Sequence, residues 1–271
     1  MSARGFALVL LVLAAAGARA QQAVAGQPAD NRSPTLEAAQ HHFYSSRYTV
    51  AADQALQRIN ATPTDLAAFE LRTSALHFQI RRAMGNGKDR KAAFAACSTC
   101  PALLEVFLAE IKRGKEAAKA RLGEAPADEQ AMYYLSKINF SYVWLQLSTL
   151  GKRTGWDEYW EARRHVETVL KGHPSHLRAR VAQAWMEYIV GSRVPWGTRW
   201  LMGGGNKDRG VRAMRNAAAA PGDVYSEVEA DFALWEMLVR EGKRAEALPM
   251  AKDLLAKFPD NEDLAKFLSG S

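Results

Sequence analysis

The chain has 271 residues, 48% hydrophobic and 24% charged, with 36 lysines and arginines against 29 acids for a formal charge of +7. That length and apolar content allow a substantial core, as one repeat array or two small domains. The two signs of charge are interspersed, as in Lys112, Arg113 and Lys115 beside Glu110 and Glu116. This is the pattern of solvated helices and excludes the like-charge block of a nucleic-acid footprint.

Residues 1–20 read as a secretory signal peptide. Arg4 supplies the positive start, Phe6 to Ala16 the apolar run, and Ala18-Arg19-Ala20 the small-x-small pattern before cleavage. The competing reading is a retained membrane anchor. Cleavage after Ala20 removes Arg4 and Arg19 and no acid, so the formal charge falls from +7 to +5. No cysteine lies near Ala20, and no later run of about eighteen apolar residues follows. A soluble periplasmic or secreted protein is expected, with a bacterial source suggested by the alanine- and arginine-rich usage. Export argues against a nucleic-acid partner and leaves polyanionic partners open. Gln21 to Ser33 is polar with Pro and Gly, and is expected to be a disordered leader.

From Pro34 onward nearly every apolar stretch has helical spacing, with few β-branched runs or period-2 alternations, so the chain is expected to be all-α. A first hairpin is expected over 34–61. The next helix spans 64–82, with Asp65 as an acid at its start. Gly85, Gly87 and Lys88 break it, and 89–100 interrupts the pattern. Pro101 suits the first turn of a long helix reaching Leu122, with Leu103, Leu104, Phe107, Ile111 and Ala118 buried. An apolar helix follows over 128–150, then a partner over 156–171 that stops at Gly172 and Pro174. Another helix covers 176–190, and a second interruption runs from Gly191 to Asn206. A short helix over 207–220, a hairpin over 228–261 and a capping helix from Glu262 to Phe267 complete the chain. Pro63, Pro126, Pro174, Pro221 and Pro259 punctuate five helical pairs at spacings that shrink from 63 to 38 residues.

The last hairpin resembles a tetratricopeptide repeat (TPR). Leu234 stands at the repeat's large position, Gly242 at its turn, Ala247 at its small interhelical position and Pro259 at its terminal proline. Tyr48, Ala51 and Pro63 fall at the same spacing, as do Tyr159, Ala162 and Pro174. Trp235 and Arg58 depart from it, each standing where the family has a small residue. The resemblance implies an irregular TPR-like α-solenoid of about five hairpins over 34–271, with a concave face lined by the first helix of each pair. Stacking buries what one pair cannot. The chain also looks like other exported bacterial TPR proteins, among them the periplasmic T-component of TRAP transporters. T-components are typically lipoproteins.

Cys97-Ser-Thr-Cys100 is the only cysteine pair, and in an exported protein a local structural disulfide is expected. Thiol-redox work is the alternative, although the βαβ context of a thioredoxin-like motif is missing. His173 and His176, with His165, lack the carboxylates or thiols that would complete a metal site. Adjacent His41 and His42 point to different faces of a helix. Gly203-Gly204-Gly205 fails the phosphate-loop pattern and reads as a flexible joint. No catalytic signature is present, so no enzyme activity, cofactor or metal is expected.

Six of the seven tryptophans lie between Trp144 and Trp200. Trp144, Trp156, Trp160 and Trp185 fall on helices and are expected in the core. Trp196 and Trp200 sit in the interruption with Arg193 and Arg199, and form either a contact surface or a plug folded into the core. The leading expectation is an adaptor binding a protein or peptide in its concave groove, through the first-helix residues Phe232, Glu236 and Arg240 of the last hairpin together with Arg193, Trp196, Arg199 and Trp200 of the interruption. A small-solute carrier beside a transporter is the alternative, and it requires an enclosed apolar pocket.

Overall fold

The computed structural model describes residues 34–270 except Asn86, Arg153 and Pro195, and the side chains of Thr198 and Leu201 are not described. The signal peptide and leader expected over 1–33 lie outside these residues. Within them the protein is all-helical, with no strand. The helices are α1 (Leu36–Tyr44), α2 (Tyr48–Ala61), α3 (Leu66–Met84), α4 (Arg90–Ala96), α5 (Cys100–Glu124), α6 (Glu129–Trp144), α7 (Trp156–Gly172), α8 (Leu177–Arg193), α9 (Lys207–Ala218), α10 (Val224–Arg240), α11 (Arg244–Lys257) and α12 (Glu262–Ser269). Among the described residues no single helix is long and apolar enough to cross a membrane.

One device recurs where helices meet. Helices α2, α5, α7 and α11 end on Thr62, Ala125, His173 and Phe258, each with φ between −139° and −129° and ψ between 72° and 86°. A proline follows each of these residues, because it cannot continue the helix. Two residues past each proline, Asp65, Asp128, His176 and Asn261 cap the next helix by accepting the backbone N–H of Ala68, Ala131, Ala179 and Leu264. Each cap satisfies one of the donors a helix start leaves open, worth about 1 kcal/mol. His176 is therefore a helix cap, and His173 pairs with Glu129. Arg58 and Arg121 extend the device by donating to the capping Asp65 and Asp128.

The turns inside the first and last hairpins also match. Ser46 and Gly242 both have positive φ, +62° and +68°. The N–H groups of Arg47 and Lys243 reach back to the carbonyls of His42 and Leu238, both at 2.9 Å.

The core is a succession of clusters shared by neighbouring helices. One joins α2, α3, α5 and α6 through Ile59, Phe69, Ile80, Phe107, Ile111 and Ile138. Val143, Tyr159, Val166 and Met186 link α6, α7 and α8. A third, through Leu177, Tyr188, Met214, Met237 and Leu238, joins α8, α9 and α10. Each fully buried large side chain contributes roughly 1.5–3 kcal/mol.

Helices α8 and α9 approach too closely for side chains. A Cβ on Gly210 would lie 2.6 Å from the Tyr188 backbone nitrogen, and one on Gly191 would strike the Lys207 backbone. Backbone cannot swing aside as a side chain can. Gly210→Ala is therefore expected to destabilise by about 1–2 kcal/mol in urea unfolding, because overpacking outweighs alanine's helix propensity. A stabilised variant would show that the two helices separate freely.

The chain departs from the sequence expectation in three places. The interruption over 89–100 contains helix α4, capped by Asp89. The helix expected to reach Leu150 ends at Trp144 and widens into a π-helical turn, Leu145–Thr149. That turn brings the Thr149 hydroxyl within 2.8 Å of His77 and its carbonyl within 2.9 Å of Arg90. In the second interruption, residues Trp196–Met202 form a 3-10 helix.

The two ends of the described chain meet. Tyr44 lies against Phe232 and Phe258, with ring centroids 5.2 and 5.7 Å away, and stacks near Tyr225. Asn261 donates to the Tyr44 carbonyl at 2.7 Å, and Arg47 pairs with Asp260.

Candidate functional site

Four helices, α3, α6, α8 and α10, each send one charged residue to a common buried network. Arg178 contacts Glu70 at 3.3 Å and also pairs with Glu229. Lys137 pairs with Glu229 and lies 3.8 Å from Glu70. The side chains are only 8–19% exposed. Burial alone would raise the Glu229 pKa, but Arg178 and Lys137 outweigh it and hold the carboxyl at about 2. Tyr133 lies alongside, with the Arg178 guanidinium 5.3 Å from its ring. These charged groups are consumed by one another. They carry no local sequence signal, because each looks like an ordinary helical charge and finds its partners 51 to 108 positions away.

The residues expected to bind a partner divide into two groups. Phe232 packs against Tyr44, Phe258 and Trp235, within the contact between the chain ends. Glu236 pairs with Arg240 and lies 3.9 Å from Arg81. Arg193, Arg199 and Arg240, by contrast, line one cleft of about 590 Å³ together with Tyr188, Asn206, Lys207, Asp208 and Glu241. The cleft opens to solvent between the end of α8, the 3-10 turn and the start of α9.

Its walls are held by specific contacts. Arg163 of α7 donates to the carbonyls of Met202 and Gly203, and the Tyr159 hydroxyl donates to Met202 at 3.2 Å. Arg199 ties the other end of the turn by donating to the Val194 carbonyl at 2.9 Å. On the far wall Arg240 lies over the rings of Trp144 and Trp185, 5.6 and 5.8 Å from their centroids. Glu241 accepts from the Tyr188 hydroxyl at 2.9 Å and from Lys207 at 2.7 Å. Burial and that carboxylate push the Tyr188 hydroxyl up to about 12, so it remains a donor.

The turn itself presents two large aromatics to solvent. Trp196 is 85% exposed and Trp200 73%. The plug alternative is thereby overturned: anchoring at both ends holds the turn outside the core. Of the four tryptophans expected in the core, Trp144, Trp160 and Trp185 are only half-buried and Trp156 is 40% exposed. Tyr188, Lys207 and Glu241 were not expected at a site. Their helical spacing is that of ordinary core and surface positions, and only the meeting of α8, α9 and α10 assembles them.

Cys97 and Cys100 form a disulfide that joins the end of α4 to the start of α5. Cys100 is fully buried and both sulfurs belong to the first core cluster. Reduction in the native state is expected to be slow, and the Cys97→Ser/Cys100→Ser variant to lose about 2 kcal/mol or less, because the closed loop is short. Rapid reduction by glutathione in the folded state would restore the redox reading.

No protein-family model matches the chain, and a search of curated proteins finds no significant match.

Proposed function

We propose that this protein is an exported, TPR-like adaptor of the bacterial envelope that engages a protein partner through the Trp196–Met202 turn and the arginine-lined cleft beside it. The observation that carries the reading is the exposure of Trp196 and Trp200 on a turn fixed at both ends. Large aromatics cost free energy when left in water, and tryptophan with arginine dominates binding hot spots. A pre-formed turn avoids the ordering cost that a flexible loop incurs on binding.

The repeat reading is supported by the four matching helix junctions and by the two matching hairpin turns. Export is supported by the signal-like pattern of residues 1–20 and by a disulfide. The concave face is not part of the proposal, because charged residues of α3, α6, α8 and α10 pair with one another. The solute-carrier alternative gains nothing from the cleft, which is open and lined by charged groups.

Gly197 offers the test. Its Cβ position has nothing within 4 Å, so a photo-crosslinking residue fits there. Irradiation of the native envelope fraction is expected to give one discrete protein adduct. The adduct should vanish in Trp196→Ala/Trp200→Ala, whose thermal unfolding should be unchanged because both rings are exposed. Undiminished crosslinking in that folded variant would remove the turn from the binding surface.

A further inference from the structure

The charge left over in the cleft says what chemistry the partner carries, and this inference rests on the adaptor reading above. Most of the charges there are already matched. Arg240 is paired with Glu236, and Lys207 with Glu241, which also takes the Tyr188 hydroxyl. Arg209, beside the cleft, is paired with Glu187. Asp208 sits in the first turn of α9, where the helix dipole favours an acid. Two guanidinium groups remain. Arg193 is exposed and, among the described residues, has no carboxylate partner. Arg199 is half-buried, and its described contact is to the Val194 carbonyl rather than to an acid. Both line the same cleft, Arg193 at the end of α8 and Arg199 within the turn that exposes Trp196 and Trp200.

We infer that the partner is an acidic polypeptide segment: one carboxylate enters between Arg193 and Arg199, and a neighbouring apolar side chain lies on Trp196 and Trp200. Arginine forks match carboxylates with two parallel hydrogen bonds, which gives both strength and orientation. The tryptophan faces supply apolar area beside that polar anchor, so the pair selects a segment in which acid and apolar residues adjoin. The interruption of the basic surface by Glu187, Asp208 and Glu241 disfavours a long polyanionic track and suits a short segment.

The test is fluorescence anisotropy of a labelled peptide alternating glutamate with leucine, against its lysine-for-glutamate counterpart, on the purified protein. The glutamate peptide is expected to bind and the lysine peptide not to bind, with affinity falling as salt is added. Arg193→Glu is expected to weaken binding by about tenfold or more. Because Arg193 is exposed, this variant should fold normally, which its thermal unfolding checks. Arg199→Lys keeps the charge and loses the fork, and is expected to weaken binding less. Equal binding of the two peptides, or full binding by folded Arg193→Glu, would overturn the inference. Binding of phosphatidylglycerol vesicles without binding of the acidic peptide would overturn it in favour of a lipid headgroup. The crosslink at position 197 separates the two levels. An adduct that persists in Arg193→Glu leaves the partner surface standing and removes the acidic chemistry, whereas no adduct in any background removes the surface and this inference with it.

Discussion

Arg178→Met is expected to cost about 3–5 kcal/mol in urea unfolding, because it leaves buried carboxylates without their central partner. Arg178 of α8 makes the closer contact to Glu70 of α3, at 3.3 Å against 3.8 Å for Lys137, and shares Glu229 of α10 with that lysine. Methionine keeps much of the volume, so the loss reads the charge rather than a cavity. Lys137→Met should cost less, since Arg178 still serves both acids. In Arg178→Met/Glu229→Leu one buried acid goes with its base, and at least half of the lost stability should return. A double-mutant cycle measures that coupling, expected at above about 1 kcal/mol for groups in one network. A loss below about 1 kcal/mol for Arg178→Met would mean that water enters the network and the four helices are not locked together there. Acid should act on the same network. The Glu229 pKa is depressed in the folded state, so its contribution is present above the unfolded value of about 4.5 and is lost as pH falls toward 2.

The second large effect is at milder pH. His77 is buried in α3, with its ring 2.8 Å from the Thr149 hydroxyl of the π-helical turn. Burial first, and the nearby positive Arg81 second, lower its pKa from 6.5 to about 3. Above pH 6.5 the imidazole is neutral in both states and contributes no slope. Below it the unfolded chain takes up a proton that the folded protein refuses, so stability falls with falling pH until about pH 3. Each pH unit in that window costs about 1.4 kcal/mol, or about 2 kcal/mol between pH 7 and pH 5. His42, His165 and His176 are lowered in the same direction by partial burial and add smaller slopes. His77→Gln keeps a hydrogen-bonding group toward Thr149 and cannot titrate. Its unfolding free energy should therefore be markedly flatter between pH 7 and pH 5 than that of the wild type. Parallel curves for the two proteins would show that His77 protonates in the folded state.

Most helices and the proline-marked junctions were legible in the sequence, because what makes them is local, whereas helix α4 and the π-helical turn were not. Capping by Asp65, Asp128 and Asn261 needs a carboxyl or amide oxygen three residues before an N–H, and the prolines stop helices by lacking an N–H of their own. The disulfide was legible for the same reason, its cysteines being three positions apart. So was the mixture of tryptophan and arginine over 193–200. Whether those tryptophans face solvent was not legible. That was decided by Arg163, which arrives from α7 some 40 positions earlier to hold the turn's end. Phe232 shows the converse: its place on a first helix put it on the expected concave face, and Tyr44 from the other end of the chain covers it. The buried network is the extreme case. Glu70, Lys137, Arg178 and Glu229 each look like ordinary surface charges in their own helices. An ion pair depends on distance in space and on how much water is excluded, and neither is encoded within one helix. The sequence by itself determined most of the helices and their proline-marked breaks, but not helix α4 or the π-helical turn after Trp144. Only the tertiary structure decided which charges are matched inside and which two arginines remain unmatched at the cleft.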